Sequence, residues 1–109
     1  MTEIYLGLMS GTSMDGLDCC LVNLEIDREF NLHLDVDDFK TYPFPQPLKD
    51  KIINVVQSKN PIQINELNKI LGDFFLKASI KILKNDKIDL ISLHGQTISH
   101  VNGKTSCQI

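Results

Sequence analysis

Two short segments concentrate the side chains able to do chemistry. The first is Ser10-Gly11-Thr12-Ser13-Met14-Asp15-Gly16. Its two glycines permit backbone conformations with φ > 0 and let a ligand approach the main chain closely. Successive N–H groups in such a turn form an anion-binding concavity, to which Ser10, Thr12 and Ser13 add hydroxyl donors. Asp15 can reach a phosphate through a hydrated metal ion. Together these groups suit a nucleotide polyphosphate. The same residue types are also those of an ordinary surface hairpin loop. No G-x-x-x-x-G-K-[ST] or G-x-G-x-x-G is present, and no helix is expected directly after the turn. A hydrolase elbow fails as well, because Asp15 stands where its second glycine belongs.

The second segment is His94-Gly95-Gln96-Thr97, an imidazole, an amide and a hydroxyl around a glycine able to bend the chain. Placed beyond the carboxyl end of a strand, His94, Gln96 and Thr97 can hydrogen-bond a polar, uncharged ligand such as a sugar. The plain alternative is a strand exit with solvent-facing polar groups. His94 and His100, even joined by Cys107, match no common zinc spacing. His33 reads as a surface residue, and Cys19 and Cys20 as small apolar side chains of a strand.

The elements that must position these groups follow from periodicity. Residues 3–9 read as a short apolar strand. Leu17 to Ile26 reads as a second, with Leu17, Cys19, Leu21 and Asn23 on one face and Cys20, Val22, Leu24 and Ile26 on the other. Its two apolar faces predict cover on both sides. After a turn at Asp27-Arg28-Glu29, a third strand runs from about Phe30 to Thr41, with Leu32, Leu34 and Val36 on one face. Short turns between these three strands predict an antiparallel meander. The prolines of residues 42–47 end it. Helical spacing appears over Leu48–Lys59 and, after a break at Ser58-Lys59-Asn60-Pro61, from about Asn65 to Lys84. Leu67, Ile70, Leu71, Phe74, Phe75, Ala78 and Ile82 make the core stripe of the second helix. Lys81, Lys84 and Lys87 form its solvated end. Ile88–Leu93 is a fourth strand leading into His94, and Gly103–Ile109 starts another. The fold class is α/β, a meander followed by helices and a further strand on a mixed sheet.

Composition narrows the classes. The 109 residues are 42% hydrophobic and 23% charged, a globular balance for one domain or part of one. Net charge is −3 with no basic stripe, which disfavours nucleic acid and anionic membrane as partners. No stretch approaches a membrane span and no positive leader precedes the first strand. Three cysteines, two of them adjacent, disfavour a disulfide framework, so a cytoplasmic location is expected.

The run Leu6-Gly7-Leu8-Met9-Ser10-Gly11-Thr12-Ser13-Met14-Asp15-Gly16-Leu17-Asp18 closely resembles the start of the anhydro-N-acetylmuramic acid kinases. His94-Gly95-Gln96-Thr97-Ile98-Ser99-His100 resembles that family's second motif, in the same order. The resemblance covers essentially all of the chain but only the leading part of much longer proteins. It implies a partial actin-like (ribonuclease H-like) lobe, with residues 1–109 as the incomplete N-terminal lobe of a sugar kinase. It further implies ATP and Mg²⁺ as cofactors and an amino-sugar substrate. The family's reaction opens the 1,6-anhydro bridge of anhydro-N-acetylmuramic acid with water and phosphorylates O6, in cytoplasmic peptidoglycan recycling. A homodimer of the full-length protein is compatible with it. Carried over by position, Gly11, Thr12, Ser13, Met14, Asp15, Gly16, Leu17 and Asp18 would bind the ATP phosphates. His94, Gln96 and Thr97 would lie near the sugar. Gly7 stands where the wider superfamily often carries an aspartate, although this family generally lacks it. The general-base aspartate is expected beyond Ile109, so the chain alone is expected to be inactive. Two other readings stay open on the sequence: a non-catalytic binding module, and a different actin-like ATPase. The latter would not be expected to carry His94-Gly95-Gln96-Thr97.

Overall fold

The computed structural model describes residues 2–11, 14–83, 88–95, 97–101 and 105–108. Strands β1 (Thr2–Met9), β2 (Gly16–Ile26) and β3 (Leu32–Pro43) form the expected antiparallel meander. Helices α1 (Gln46–Ser58) and α2 (Pro61–Leu83) follow. Then β4 (Leu90–His94) returns to pair in parallel with β1, giving a four-stranded sheet in the order β3-β2-β1-β4. A separate hairpin joins β5 (Thr97–Val101) to β6 (Thr105–Gln108). The sheet is therefore mixed, as anticipated, and consistent with an actin-like sugar kinase lobe. The meander arises from tight turns. At the second one, the Asp27 carboxylate accepts from the N–H groups of Glu29 and Asn31, both at 2.9 Å. Phe30 takes φ 64° there, which removes it from the strand that the sequence assigned to it.

Alternation sorts the sheet into two faces. Leu6, Leu8, Leu17, Cys19 and Leu21 point toward the helices and are buried. There they meet Leu48, Ile52 and Val55 of α1 and Leu67, Leu71, Phe75, Ala78 and Ile82 of α2. Each Leu, Ile, Val or Phe among them contributes about 1.5–3 kcal/mol by leaving water. Phe44, between β3 and α1, packs its ring edge-on to Phe74 at 5.0 Å. The hydroxyl of Ser79, buried on α2, donates to the Phe75 carbonyl at 2.7 Å, and among the described residues no buried side-chain nitrogen or oxygen lacks a partner.

Four expectations are corrected. The second strand is covered by helices on one face alone. Opposite, no described element shields the sheet, and Val36 and Phe39 of β3 are each 59% exposed. The apolar residues there shelter one another across strands, as Val22 does with Val36. The long helix also starts four residues earlier than its apolar stripe suggests. Asn60 caps it, its side-chain oxygen accepting from the N–H groups of Ile62 (2.9 Å) and Gln63 (3.3 Å). Pro61 then fits the first helical position, where no N–H is needed. Likewise Pro47 lies in the first turn of α1, after Gln46, rather than preceding the helix. Finally, β5 lies where only a polar strand exit is expected. Lys84 and Lys87 lie outside the described residues, while the Lys81 ammonium sits 5.7 Å over the Tyr42 ring.

Candidate phosphate and sugar site

The glycine turn leaves the end of β1 and re-enters the sheet at Gly16. Its geometry is held from three sides. Ser10 is fully buried, and its N–H donates to the His94 carbonyl at 3.2 Å. Met14 turns the chain with φ 59°, its N–H bonded to the Gly11 carbonyl at 3.2 Å, and its side chain packs against the core. At the far end the Asp15 carbonyl accepts from the N–H of Phe44 at 2.9 Å. Gly16 is dictated by crowding: a Cβ there would stand 2.6 Å from the Tyr42 carbonyl oxygen. Thr12 and Ser13 lie outside the described residues.

The second motif arrives beside the first because β4 runs parallel to β1. Its register sets Met9 against His94, so both strands end at one edge of the sheet. Across the other neighbour, Met9 faces Asp18, which in turn faces Thr41. Thr41–Asp18–Met9–His94 is thus a row spanning all four strands on the face left open by the helices. Asp18 and His94 are two strand spacings apart, roughly 10 Å. Behind that row lies Phe39–Cys20–Gly7–Ser92, in which Gly7 contributes no side chain. A concavity of about 540 Å³ opens over these two rows, lined by all of their residues except Thr41. Concavities of about 230 and 380 Å³ in and beside the α1–α2 groove touch neither motif. Gln96 lies outside the described residues, and Thr97 enters as the first backbone position of β5.

The two carboxylates of the turn meet different partners. Asp15 is 72% exposed and lies 3.5 Å from the Lys49 ammonium on α1. In that setting an ion pair is weak and screened by salt. Asp18 accepts a hydrogen bond of 2.6 Å from the Thr41 hydroxyl. Beneath the sheet, burial pushes the Cys19 thiol up to about 11, with a further rise from the neighbouring Asp18 charge. Cys19 therefore stays a neutral core side chain. Among the described residues no three His, Cys, Asp or Glu side chains gather as a metal site. Thr41 and Lys49 escaped the sequence reading. The signal for Thr41 is its cross-strand position opposite Asp18, visible only once the β2–β3 register is fixed.

Neighbouring amides, hydroxyls, a carboxylate and an imidazole at the carboxyl ends of two parallel strands form a setting for a charged and a polyhydroxylated ligand side by side. Comparison with known proteins identifies the family. Residues 3–109 match the family described as anhydro-N-acetylmuramic acid kinase. The chain is 40% identical over 98 residues to the anhydro-N-acetylmuramic acid kinase of Gloeothece citriformis, covering 87% of this chain and 25% of that protein. The same identity holds over 105 residues with the one from Vibrio vulnificus strain CMCP6, covering 90% and 27%. It holds again over 106 residues with the one from Sulfurimonas denitrificans, covering 92% and 27%. The chain spans about a quarter of the length of the curated relatives it matches. Because the match runs through both motifs and the sheet that joins them, the chain belongs to the anhydro-N-acetylmuramic acid kinase family.

Proposed function

We propose that these residues form the ATP-phosphate turn and part of the sugar pocket of a kinase acting on anhydro-N-acetylmuramic acid. In that reading the whole protein cleaves the 1,6-anhydro bond with water and phosphorylates O6, in cytoplasmic recycling of peptidoglycan fragments. The observation that carries it is adjacency. Two segments more than eighty residues apart in sequence meet at one sheet edge, through the Ser10 N–H to His94 carbonyl bond and the Met9–His94 pairing.

The roles follow from donor chemistry. Backbone amides between Gly11 and Leu17 other than that of Met14, which is bonded to the Gly11 carbonyl, and the hydroxyls of Thr12 and Ser13 would grip the phosphate oxygens, which accept hydrogen bonds and carry the charge. Asp15 and Asp18 supply hard carboxylate oxygens. Mg²⁺ at a nucleotide asks for one or two of these, with water and phosphate completing its shell, so the residues fit it without a dedicated cage. When bound, the ion neutralises charge on the phosphates during transfer. His94, Gln96 and Thr97 would orient the sugar hydroxyls beside the terminal phosphate, supplying the proximity on which phosphoryl transfer depends. A further carboxylate must activate the attacking water. We assign it to the part of the family's length that this chain does not span, so the 109 residues bind and do not turn over.

Titration of this chain with Mg²⁺·ATP, followed by ³¹P NMR to tolerate weak affinity, tests the reading. A variant with Gly11, Thr12 and Ser13 all replaced by valine should lose binding. Equal affinity in that variant would remove the phosphate-turn assignment. Robust phosphorylation of the anhydro-sugar by the chain alone would show that its own carboxylates suffice.

A further inference from the structure

Either carboxylate of the glycine turn could serve the metal-bound phosphates, and the structure separates them. Asp15 points to Lys49 on the helix side of the sheet. Asp18 stands on the open face, in the row that ends at His94 and at the rim of the concavity floored by Gly7. One Asp18 oxygen is engaged by the Thr41 hydroxyl at 2.6 Å, an interaction between residues 23 apart in sequence. Thr41 is opposite Asp18 in the β2–β3 register, so the contact is built into the sheet and independent of the turn.

We propose that Thr41 is a positioning residue. Its hydroxyl fixes the Asp18 carboxylate at the rim of the concavity, so that Asp18 rather than Asp15 faces the hydrated cation of the bound nucleotide. The proposal rests on the phosphate-turn reading given above. An exposed aspartate left alone samples several rotamers, and each would have to be frozen out on binding. A hydroxyl donating to one carboxylate oxygen selects a rotamer in advance and leaves the second oxygen for the ligand. Hydrogen bonds to charged groups are of a size that shifts an equilibrium about tenfold. Threonine suits the task because its branched side chain is restricted at χ1 in a strand.

The experiment is a ³¹P NMR titration of the 109-residue chain with ATP, with and without Mg²⁺, on five variants. With Mg²⁺, Thr41→Val and Asp18→Asn should each weaken binding about tenfold, and the double variant should lose no more than either alone. Thr41→Ser should stay within about twofold of the parent. Without Mg²⁺, Thr41→Val should match the parent. If Asp18→Asn weakens binding and Thr41→Val does not, the phosphate-turn reading stands and the positioning role falls. Equal losses for Thr41→Val with and without Mg²⁺ would mark a structural role and overturn it too. Loss on Asp15→Asn with none on Asp18→Asn would show that the wrong carboxylate was chosen. If neither carboxylate matters, the assignment of the turn fails together with the proposal.

Discussion

Placing a methyl group on Gly16 tests how tightly the turn is clamped to the sheet. An ideal Cβ at this position would lie 2.6 Å from the Tyr42 carbonyl oxygen, 3.0 Å from Pro43 Cα and 3.2 Å from the Tyr42 carbonyl carbon. The first of these is 0.8 Å short of an ordinary 3.4 Å contact. All three atoms are backbone, so no side chain can swing aside. Tyr42 is held by its pairing with Leu17 and Pro43 by its pairing with Gly16 itself. The next residue, Phe44, donates to the Asp15 carbonyl and sits in the core. Relief therefore requires β3 to retreat from β2 where the turn is anchored. Overpacking of this kind costs about 1–3 kcal/mol. For a chain of this size that lowers Tm by roughly 5–15 °C. Gly72→Ala is the matched control, because a Cβ there meets nothing within 4 Å and the site is an exposed helix position. It should stabilise by about 1 kcal/mol through helix propensity. Urea denaturation of both variants gives the comparison directly. The reasoning is refuted if Gly16→Ala unfolds at the parent midpoint, or if Gly72→Ala loses as much.

The junction between the helices carries two opposed effects. Asn60→Ala removes the cap of α2 and should cost about 1 kcal/mol, whereas Lys59→Gly, at φ 51°, relieves a left-handed side chain and should stabilise by a comparable amount; denaturation midpoints moving in the same direction would contradict this account. Alkaline pH probes the core. The Cys19 thiol keeps its proton to about 11 when folded, while in the unfolded chain it ionises near 9. Stability should thus fall between those values by on the order of 2 kcal/mol. Burial raises the Tyr42 phenol in the same sense, so the Cys19 share is read as the difference from Cys19→Ala, and identical pH profiles would rule it out. A low-pH limb is expected from Asp27, whose carboxyl is lowered chiefly by the Asn31 N–H. Its stabilisation is present above the usual carboxylate range and lost as pH falls through the lowered value; Asp27→Asn should flatten that limb.

Local pattern carried much of the fold. Alternation along Leu17 to Ile26 separates the two faces of β2, because a period of two leaves little choice of side, but with both faces apolar it does not say that the helices cover only the side of Leu17, Cys19 and Leu21. The stripe from Leu67 to Ile82 located the core side of α2 for the same kind of reason. Proline was the weak point. Pro47 and Pro61 look like interruptions, yet a first-turn proline costs a helix nothing, and only the Asn60 cap distinguishes start from break. The candidate site was legible as two lists of residues and not as one place. Nothing in the periodicity of residues 88–94 says that they pair with β1, or in parallel, since that choice depends on partners some eighty-five residues away. Thr41 was invisible for that reason as well. Its significance comes from sitting opposite Asp18, a relation shifted by the irregularity between Leu21 and Val22.

The parallel pairing of β4 with β1 has a kinetic consequence. The meander and the two helices close on neighbours in sequence, whereas Ile4 and Asp89, which exchange backbone and carboxylate hydrogen bonds at the start of this pairing, must enclose the whole intervening chain first. Loop-closure entropy of that length delays the step until the rest of the scaffold can reward it. The motif at His94 thus joins the turn at Ser10 late in folding, and a ligand bridging the two would slow the detachment of β4 in particular. Amide exchange along residues 90–94 would then report on any ligand that spans the two motifs.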